Sequence, residues 1–257
     1  MKILQETKQK RSIKYGDIFS IGNHILVCGD ASDKELVATA FKNTKASIVL
    51  CDVPYGVNYT QSKEGFSKVK KNKEIANDDI TSEEDYVQFT KDWIDALLPH
   101  LTKKNTFYIF NSDIMLFALR EGMQRSGLKF SQLLIWIKNH VVIGRKDYLP
   151  MHELIAVGWY GTHKFHKAKD KSVIFCPKPH KSALHPTQKP ISLLRRLILN
   201  STNIGDIVYD CFGGSGSTMI ACEQTKRKCT MVELDPEYCQ TIIDRCEKIF
   251  NIKAKRL

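Results

Sequence analysis

The stretch "IVYDCFGGSGSTMIACEQTKRKCTMVELD", residues 207 to 235, decides the fold of this chain. It contains a short apolar strand pattern, a glycine-rich turn, a helix pattern, a second strand pattern and an acid. In such a unit the glycines let the backbone approach a ligand closely, and the N-terminus of the helix supplies N–H donors. Glu233 follows Gly213 by about 20 positions, which is where an acid that binds ribose hydroxyls is expected. The stretch therefore predicts a ligand-binding βαβ unit.

Two common nucleotide motifs do not fit this turn. The dinucleotide pattern G-x-G-x-x-G would begin at Gly214, but Met219 stands at its last position. The P-loop pattern also fails, because no Gly-Lys-Ser/Thr follows the glycines. A glycine turn that only reverses the chain is the alternative, and the joint presence of turn, helix and spaced acid disfavours it.

Outside this unit the pattern is that of an α/β protein. Apolar runs predict seven strands, at His24–Cys28, Ile48–Cys51, Thr106–Phe110, Leu133–Ile137, Leu154–Gly158, Ile207–Asp210 and Thr230–Glu233. Helix signals lie between them: a capping box at Thr81–Glu84, an amphipathic run from Ser112 to Ser126 before Gly127, and Asp235-Pro236 at the start of a last helix. Strands that alternate with helices predict a doubly wound, mostly parallel sheet.

Length and composition limit the classes of protein. The 257 residues suit one domain over 1–257, with two lysine-rich loops at 58–80 and about 161–185. The net charge of +11 favours a polyanionic partner such as nucleic acid. Eight cysteines without a C-x-x-C pair indicate reduced core thiols and no zinc site. The sequence lacks a signal-peptide pattern and an apolar run of about 18 residues, so a cytoplasmic location without membrane association is expected.

A second stretch, "IVLCDVPYGVNY" at residues 48 to 59, also needs an explanation. A buried strand pattern ends abruptly in Asp52, Val53, Pro54 and Tyr55. Taken alone, this is an ordinary turn after a strand. Its combination with the glycine turn favours a functional interpretation.

Three segments together resemble the amino-directed DNA methyltransferases. Asp52-Val53-Pro54-Tyr55 resembles the D-P-P-Y motif of this family, with Val53 in place of the first proline. Asp210–Thr218 resembles the D-x-F-x-G-S-G-T cofactor motif, and His185–Pro190 resembles the H-P-T-Q-K-P segment. Here the catalytic motif precedes the cofactor motif, which is the circularly permuted order of the β class. The resemblance extends from about Gly22 to Phe250.

The resemblance implies a fold, a cofactor and a set of site residues. The fold would be the seven-stranded, Rossmann-like sheet of enzymes that use S-adenosylmethionine. The catalytic residues would be Asp52, Val53, Pro54 and Tyr55. Cofactor contacts are implied for Asp30, Ala31, Thr187, Lys189, Asp210, Phe212, Gly213, Gly214, Ser215, Gly216, Ser217, Thr218 and Glu233. The sulfonium already activates the methyl group, so no metal is required.

In this mechanism, the acceptor is the exocyclic amino group of a base that has been rotated out of the duplex. Asp52 and the carbonyl of Val53 would accept its N–H groups, Pro54 would stiffen the turn, and Tyr55 would stack on the base. An aspartate at position 52 favours adenine N6, because serine is commoner there in cytosine-N4 enzymes. The alternatives are a cytosine-N4 enzyme, an RNA or protein-glutamine methyltransferase, and a non-catalytic DNA-binding specificity module.

DNA is the expected partner, and the resemblance makes a cognate restriction endonuclease and a second copy of the chain further candidates. The lysines expected to contact phosphates are Lys63, Lys68, Lys70, Lys71, Lys73, Lys164, Lys167 and Lys169. A solvated charge run is the alternative for both loops. Cys176 is interpreted as structural, and Trp136 and Trp159 as core residues. His152-Glu153 lacks the second histidine of a metalloprotease motif.

Overall fold

The computed structural model describes residues 11–55, 80, 82–141, 147–166, 170–178 and 188–257, which form one mixed α/β sheet structure. Its strands are β1 (Ile18–Ile21), β2 (His24–Cys28), β3 (Ala46–Asp52), β4 (Leu101–Asn111), β5 (Lys129–Ile137), β6 (His152–Trp159), β7 (Val173–Phe175), β8 (Ile207–Asp210), β9 (Lys228–Glu233) and β10 (Lys255–Arg256). All seven predicted strands are confirmed. β1, β7 and β10 were not predicted, and they extend the sheet at its edges.

The strand order in the described sheet is β10-β1-β2-β9-β8-β3-β4-β6-β5-β7. The five strands from β2 to β4 in this order are parallel neighbours, whereas β6 is antiparallel to both β4 and β5. The seven predicted strands are therefore contiguous within the sheet. The predicted mostly parallel, doubly wound sheet is confirmed.

Helices cover both faces of the sheet. They are α1 (Lys34–Phe41), α2 (Glu83–Leu97), α3 (Leu116–Arg125), α4 (Ile191–Ser201), α5 (Ser217–Gln224) and α6 (Pro236–Phe250), with a short 3₁₀ helix at Leu98–His100. Side chains alternate along β3, so that Ile48 and Leu50 belong to one core and Val49 and Cys51 to the other. The first core contains residues of α4, α5 and α6, and the second contains residues of α1, α2 and α3.

Helix ends follow their sequence signals. Ser82 caps α2 by accepting the Asp85 N–H at 3.1 Å, and Asp235 caps α6 with Pro236 in its first turn. Gly127, with φ of +77°, follows the end of α3. This helix begins at Leu116 and not at Ser112, since the side chains of Asn111 and Ser112 accept the N–H groups of Ser112 and Met115.

The topology places the two key turns at one edge of the sheet. β3 and β8 are parallel neighbours, with Val49 opposite Tyr209. Asp52 at the end of β3 and the glycine turn that follows Asp210 therefore share the carboxyl edge. Ligands of open α/β sheets bind outside this edge, where the strand order reverses.

The segment after β6 leaves this edge. Thr162 forms a bridge with Lys104 near the start of β4, so residues 161–166 run along the amino end of that strand. The chain returns at β7, where Phe175 lies opposite Ile137 at the end of β5. Among the described helices, none combines the length and apolar character that a membrane crossing requires.

Candidate active site

The turn after β3 is fixed from two sides. The Tyr55 hydroxyl lies 2.8 Å from Asp52 Oδ1 and 3.1 Å from Glu153 Oε2, so it can donate to either carboxylate. From the other side, the buried Tyr86 hydroxyl of α2 donates to the Pro54 carbonyl at 2.7 Å. Val53 is buried between these contacts. The four residues predicted to be catalytic thus form one tightly held turn at the carboxyl edge.

Lys189 lies at this turn. Its Nζ is 2.5 Å from Asp52 Oδ2 and 3.2 Å from Glu153 Oε2, and it also donates to the Tyr55 hydroxyl at 3.2 Å. Glu153 Oε1 is in turn 2.7 Å from Lys138 Nζ. We call Asp52, Tyr55, Lys138, Glu153 and Lys189 the charged network. The sequence patterns did not single out Lys138 or Glu153 as functional, and they placed Lys189 among the cofactor contacts.

Burial and charge shift the pKa values of Tyr55, Glu153 and Lys189. Burial raises the pKa of Tyr55 well above its usual value, and the charges of Asp52 and Glu153 raise it further. Burial alone would raise the pKa of Glu153, but the ammonium groups of Lys189 and Lys138 outweigh it and lower that pKa to about 2. Burial likewise opposes the charge of Lys189, yet Asp52 and Glu153 raise its pKa. At neutral pH, Tyr55 is a neutral donor, Glu153 is ionised and Lys189 is protonated.

The glycine turn packs closely on its neighbours. A Cβ at Gly213 would lie 2.8 Å from the sulfur of Met231, and Gly214 and Gly216 adopt φ of +51° and +76°. Arg245 of α6 donates to the Ser215 carbonyl at 2.6 Å, a contact that the sequence patterns did not reveal. Glycine is thus required at Gly214 and Gly216 by the positive φ, and at Gly213 by the close packing against Met231.

Acids end three neighbouring strands beside this turn. Asp210 ends β8, and burial raises its pKa to about 7. Glu233 ends β9 and accepts the Gly214 N–H at 2.6 Å through Oε2. Asp30 follows β2, and its Oδ1 accepts from the N–H and hydroxyl of Ser32. These carboxylates place hydrogen-bond acceptors along the edge, next to the N–H donors of α5.

The other residues predicted to bind cofactor occupy varied positions. Ala31, Ser217 and Thr218 are buried near the strand ends and in the first turn of α5. The Phe212 ring contacts α2, with its centroid 5.7 Å from that of Phe89 and 6.0 Å from that of Trp93.

Most of the lysines predicted to contact DNA lie outside the described residues, as does Thr187: they are Lys63, Lys68, Lys70, Lys71, Lys73, Lys167 and Lys169. Lys164 is described and exposed, and its carbonyl contacts Thr106 of β4, on the amino side of the sheet. The interpretation of Trp159 as a core residue is wrong. Its half-buried ring stacks on His163 at 3.9 Å, because it stands at the end of β6.

Trp136 and the eight cysteines lie in the core, as the sequence predicts. Trp136 is fully buried and donates to the Cys176 carbonyl at 2.7 Å, which confirms it as a core residue. All eight cysteines are free and buried, as expected for reduced core thiols. In the part of the chain that the structure describes, no group of three or more His, Cys, Asp or Glu side chains could hold a metal ion.

The fold and the paired turns define the class of protein. The parallel sheet has a glycine turn after one central strand and an Asp-x-Pro-Tyr turn after its neighbour, the arrangement that the resemblance to the amino-directed methyltransferases implied. The chain belongs to the N6/N4 DNA methylase family, whose characteristic sequence matches residues 46–244.

Individual relatives agree with this assignment. The type II methyltransferase M.HpaI of Haemophilus parainfluenzae is 26% identical over 201 residues, which cover 68% of this chain and 63% of that enzyme. The chain thus spans less than two thirds of that relative. The crystal structure of the M1.HpyAVI–SAM complex superimposes with a TM-score of 0.63 at 23% identity, covering 86% of this chain and 98% of the other. The PvuII cytosine-N4-specific DNA methyltransferase gives 0.66 at 16% identity, covering 93% and 95%.

Proposed function

We propose that this protein transfers a methyl group from S-adenosylmethionine to the exocyclic amino group of a DNA base, and that the base is adenine, methylated at N6. One observation supports the proposal above all others. The Asp52–Tyr55 turn and the Gly213–Gly216 turn are distant in sequence but end adjacent parallel strands at the same edge. A donor held at one turn would therefore lie beside an acceptor held at the other.

The residues of the second turn fit the cofactor. S-adenosylmethionine supplies a methyl group that its sulfonium has already activated. Gly213–Gly216 form the turn at the N-terminus of α5, while Asp30, Asp210 and Glu233 offer acceptors for hydroxyl and amino groups. Ionised carboxylates also stabilise a cationic ligand. We therefore assign these acids, together with Ala31, Phe212, Ser215, Ser217 and Thr218, to the cofactor side.

Asp52 has the capacity to accept one more hydrogen bond. A carboxylate offers about four lone-pair sites, and the charged network uses Oδ1 for Tyr55 and Oδ2 for Lys189. An amino N–H of the base would take one of the remaining sites, and the Val53 carbonyl would take the second N–H. Two fixed acceptors would withdraw the nitrogen lone pair from the ring and direct it towards the methyl group. This is catalysis by orientation and preorganised charge.

The base must leave the duplex to reach this turn, at a cost of a few kcal/mol. Contacts to phosphates would compensate part of that cost, and the net charge of +11 favours them. We propose that the single domain holds DNA through the loops at 58–80 and 161–185. Lys164 lies towards the opposite edge from Asp52, so any phosphate it contacts would lie away from the extruded base. A homodimer and a cognate endonuclease stay predictions from the family resemblance.

Adenine is favoured by the side chain at position 52. Family members that act on cytosine N4 commonly have serine there, which can both donate and accept. Asp52 beside the ammonium group of Lys189 only accepts. The alternative is cytosine N4, and the same experiment distinguishes the two products.

The test uses tritiated S-adenosylmethionine and mixed-sequence DNA, followed by digestion to nucleosides. We expect label in N6-methyl-2′-deoxyadenosine, and loss of that label in Asp52→Ala with DNA binding retained. Asp92→Ala, an exposed change on α2, is the matched control. Label in N4-methyl-2′-deoxycytidine would refute the choice of base. Cofactor binding without transfer to any DNA would refute the activity.

A further inference from the structure

We infer that Lys189, Glu153 and Lys138 are positioning residues that hold the Asp52 carboxylate and the Tyr55 hydroxyl in their reactive orientation, and that Lys189 serves the acceptor base and not the cofactor. The inference deepens the proposed function and rests on it. It assigns roles to two residues, Lys138 and Glu153, that no motif marks. It also assigns Lys189 to the acceptor base, although the family motif placed this residue with the cofactor.

The geometry supports this role because three rigid elements converge on one turn. Lys189 precedes Pro190, whose carbonyl accepts the first N–H bonds of α4. Lys138 follows β5 directly, and its N–H donates to the Met151 carbonyl at 2.8 Å. Glu153 lies in β6, opposite Trp136 of β5. None of these elements carries the catalytic turn, so together they fix Asp52 and Tyr55 from outside it.

Burial makes the contacts specific. The side chains of Lys189 and Lys138 are only 5% and 4% exposed, and that of Glu153 is 13% exposed. Both lysines also approach aromatic faces, with Lys189 Nζ 5.1 Å from the Phe110 ring centroid and Lys138 Nζ 5.4 Å from that of Trp136. Water competes little for such groups, so each ammonium keeps its carboxylate partner.

Charge balance indicates what Lys189 does. The network has two carboxylates, Asp52 and Glu153, and two ammonium groups. Without Lys189, both carboxylates would face the single Tyr55 hydroxyl, and Lys138 contacts only Glu153 within the network. Two neighbouring carboxylates repel each other, which favours protonation of one of them. A protonated Asp52 would lose an acceptor that the base requires.

Other charged groups face the network from neighbouring elements. Lys178, after β7, interacts electrostatically with Asp52, Glu153, Lys138 and Lys189. Asp210, at the end of β8, interacts with Asp52. Lys189 contacts Asp52 directly, whereas the half-buried Lys178 interacts with Asp52 through its charge. Lys178 therefore cannot substitute for Lys189.

A stabilising role alone would not account for this arrangement. A buried ion pair contributes little net stability relative to apolar residues of the same volume, whereas removal of one partner leaves an uncompensated buried charge and destabilises the fold. Because Lys189 contacts Asp52 and Tyr55, we expect its removal to affect catalysis and the protonation of the network, in protein that remains folded, much more than cofactor binding. The two roles can be separated by experiment.

The test compares wild-type protein with Lys189→Met, Lys189→Arg and the exposed control Lys248→Met on α6. We expect Lys189→Met to bind cofactor as wild type does, to lose about 100-fold in kcat, and to have the acidic limb of its pH–rate profile moved to higher pH. Lys189→Arg should recover part of the loss and most of the profile, because it restores the positive charge. The control should match wild type.

A second measurement does not depend on turnover. Infrared or NMR titration of carboxyl groups, without cofactor or DNA, should show in Lys189→Met one carboxyl that titrates near neutral pH in addition to Asp210, whose pKa is already about 7 in wild type; the control should lack this additional titration. Loss of cofactor affinity with an unchanged pH profile would overturn the inference and return Lys189 to the cofactor site. An absent new titration would overturn it too. If wild-type protein transferred no methyl group, the proposed function would fail, and the titration would still decide whether the network exists.

Discussion

Asp210→Asn should stabilise the protein without cofactor, although it alters the cofactor site. Burial raises the pKa of Asp210 to about 7 in the folded protein, whereas the ordinary pKa of an aspartate is 3.8. The folded state therefore binds a proton that the unfolded chain releases over this interval. Below the pKa of the unfolded state, Asp210 does not lower the free energy of unfolding. Above it, the loss of free energy of unfolding grows as the pH rises to about 7. One pKa unit corresponds to 1.36 kcal/mol, so the cost above pH 7 is on the order of 4 kcal/mol.

Asparagine removes this cost and keeps the acceptor for the Phe212 N–H, which lies 3.1 Å from Asp210 Oδ1. Denaturant unfolding across the acidic to neutral range would measure the effect. The free energy of unfolding of Asp210→Asn should exceed that of wild type above neutral pH and converge with it in acid. Cofactor affinity should fall, since an ionised acceptor is lost. Asp92→Asn, exposed on α2, controls for the general change of charge. Equal pH dependence in wild type and Asp210→Asn would refute the reasoning.

Three further substitutions test how the turns are held. Tyr86→Phe removes the hydroxyl that fixes the Pro54 carbonyl. We therefore expect kcat to fall by up to about 100-fold, with cofactor affinity unchanged. A wild-type kcat would show that this hydrogen bond does not position the turn. Gly216→Ala is strained by φ of +76° and crowded by a neighbouring side chain, whereas Gly205→Ala, at φ of +82°, meets open space. Thermal unfolding should show a loss of about 1–2 kcal/mol from strain at either site and more at Gly216; equal losses would contradict the crowding. Arg245→Met releases the clamp on the glycine turn, so calorimetry should show weaker cofactor binding with unchanged DNA binding, and equal cofactor affinity would contradict that role.

The sequence predicts those parts of the fold that repeat a local rule. Seven strands were evident because they contain apolar runs, most of which are buried on both faces, as at Ile48–Cys51. β7 and β10 were missed because they are short edge strands with exposed side chains. The start of α3 was misplaced, because local side-chain bonds at Asn111 and Ser112 compete with helix formation. The apolar spacing, from which the helix is predicted, does not reveal this competition.

The candidate site was predictable only where a motif lies within one segment. Asp52–Tyr55 and the glycine turn are each continuous in sequence, and the sheet brings them together. Glu153 and Lys138 carry no local signal, since their function arises from pairing across β5 and β6. The motif identifies Lys189 but does not show which way its side chain points, and in the structure its ammonium group contacts Asp52 and Glu153.

The central claim is that the two turns present a methyl donor and an extruded base to each other. A crystal structure with a non-reactive analogue of S-adenosylmethionine and a short DNA duplex tests it most directly. The account predicts the analogue against Gly213–Gly216, and an unstacked adenine whose amino group is hydrogen-bonded to Asp52 and the Val53 carbonyl. An analogue bound away from the glycine turn, or a base whose amino group points away from Asp52, would contradict it.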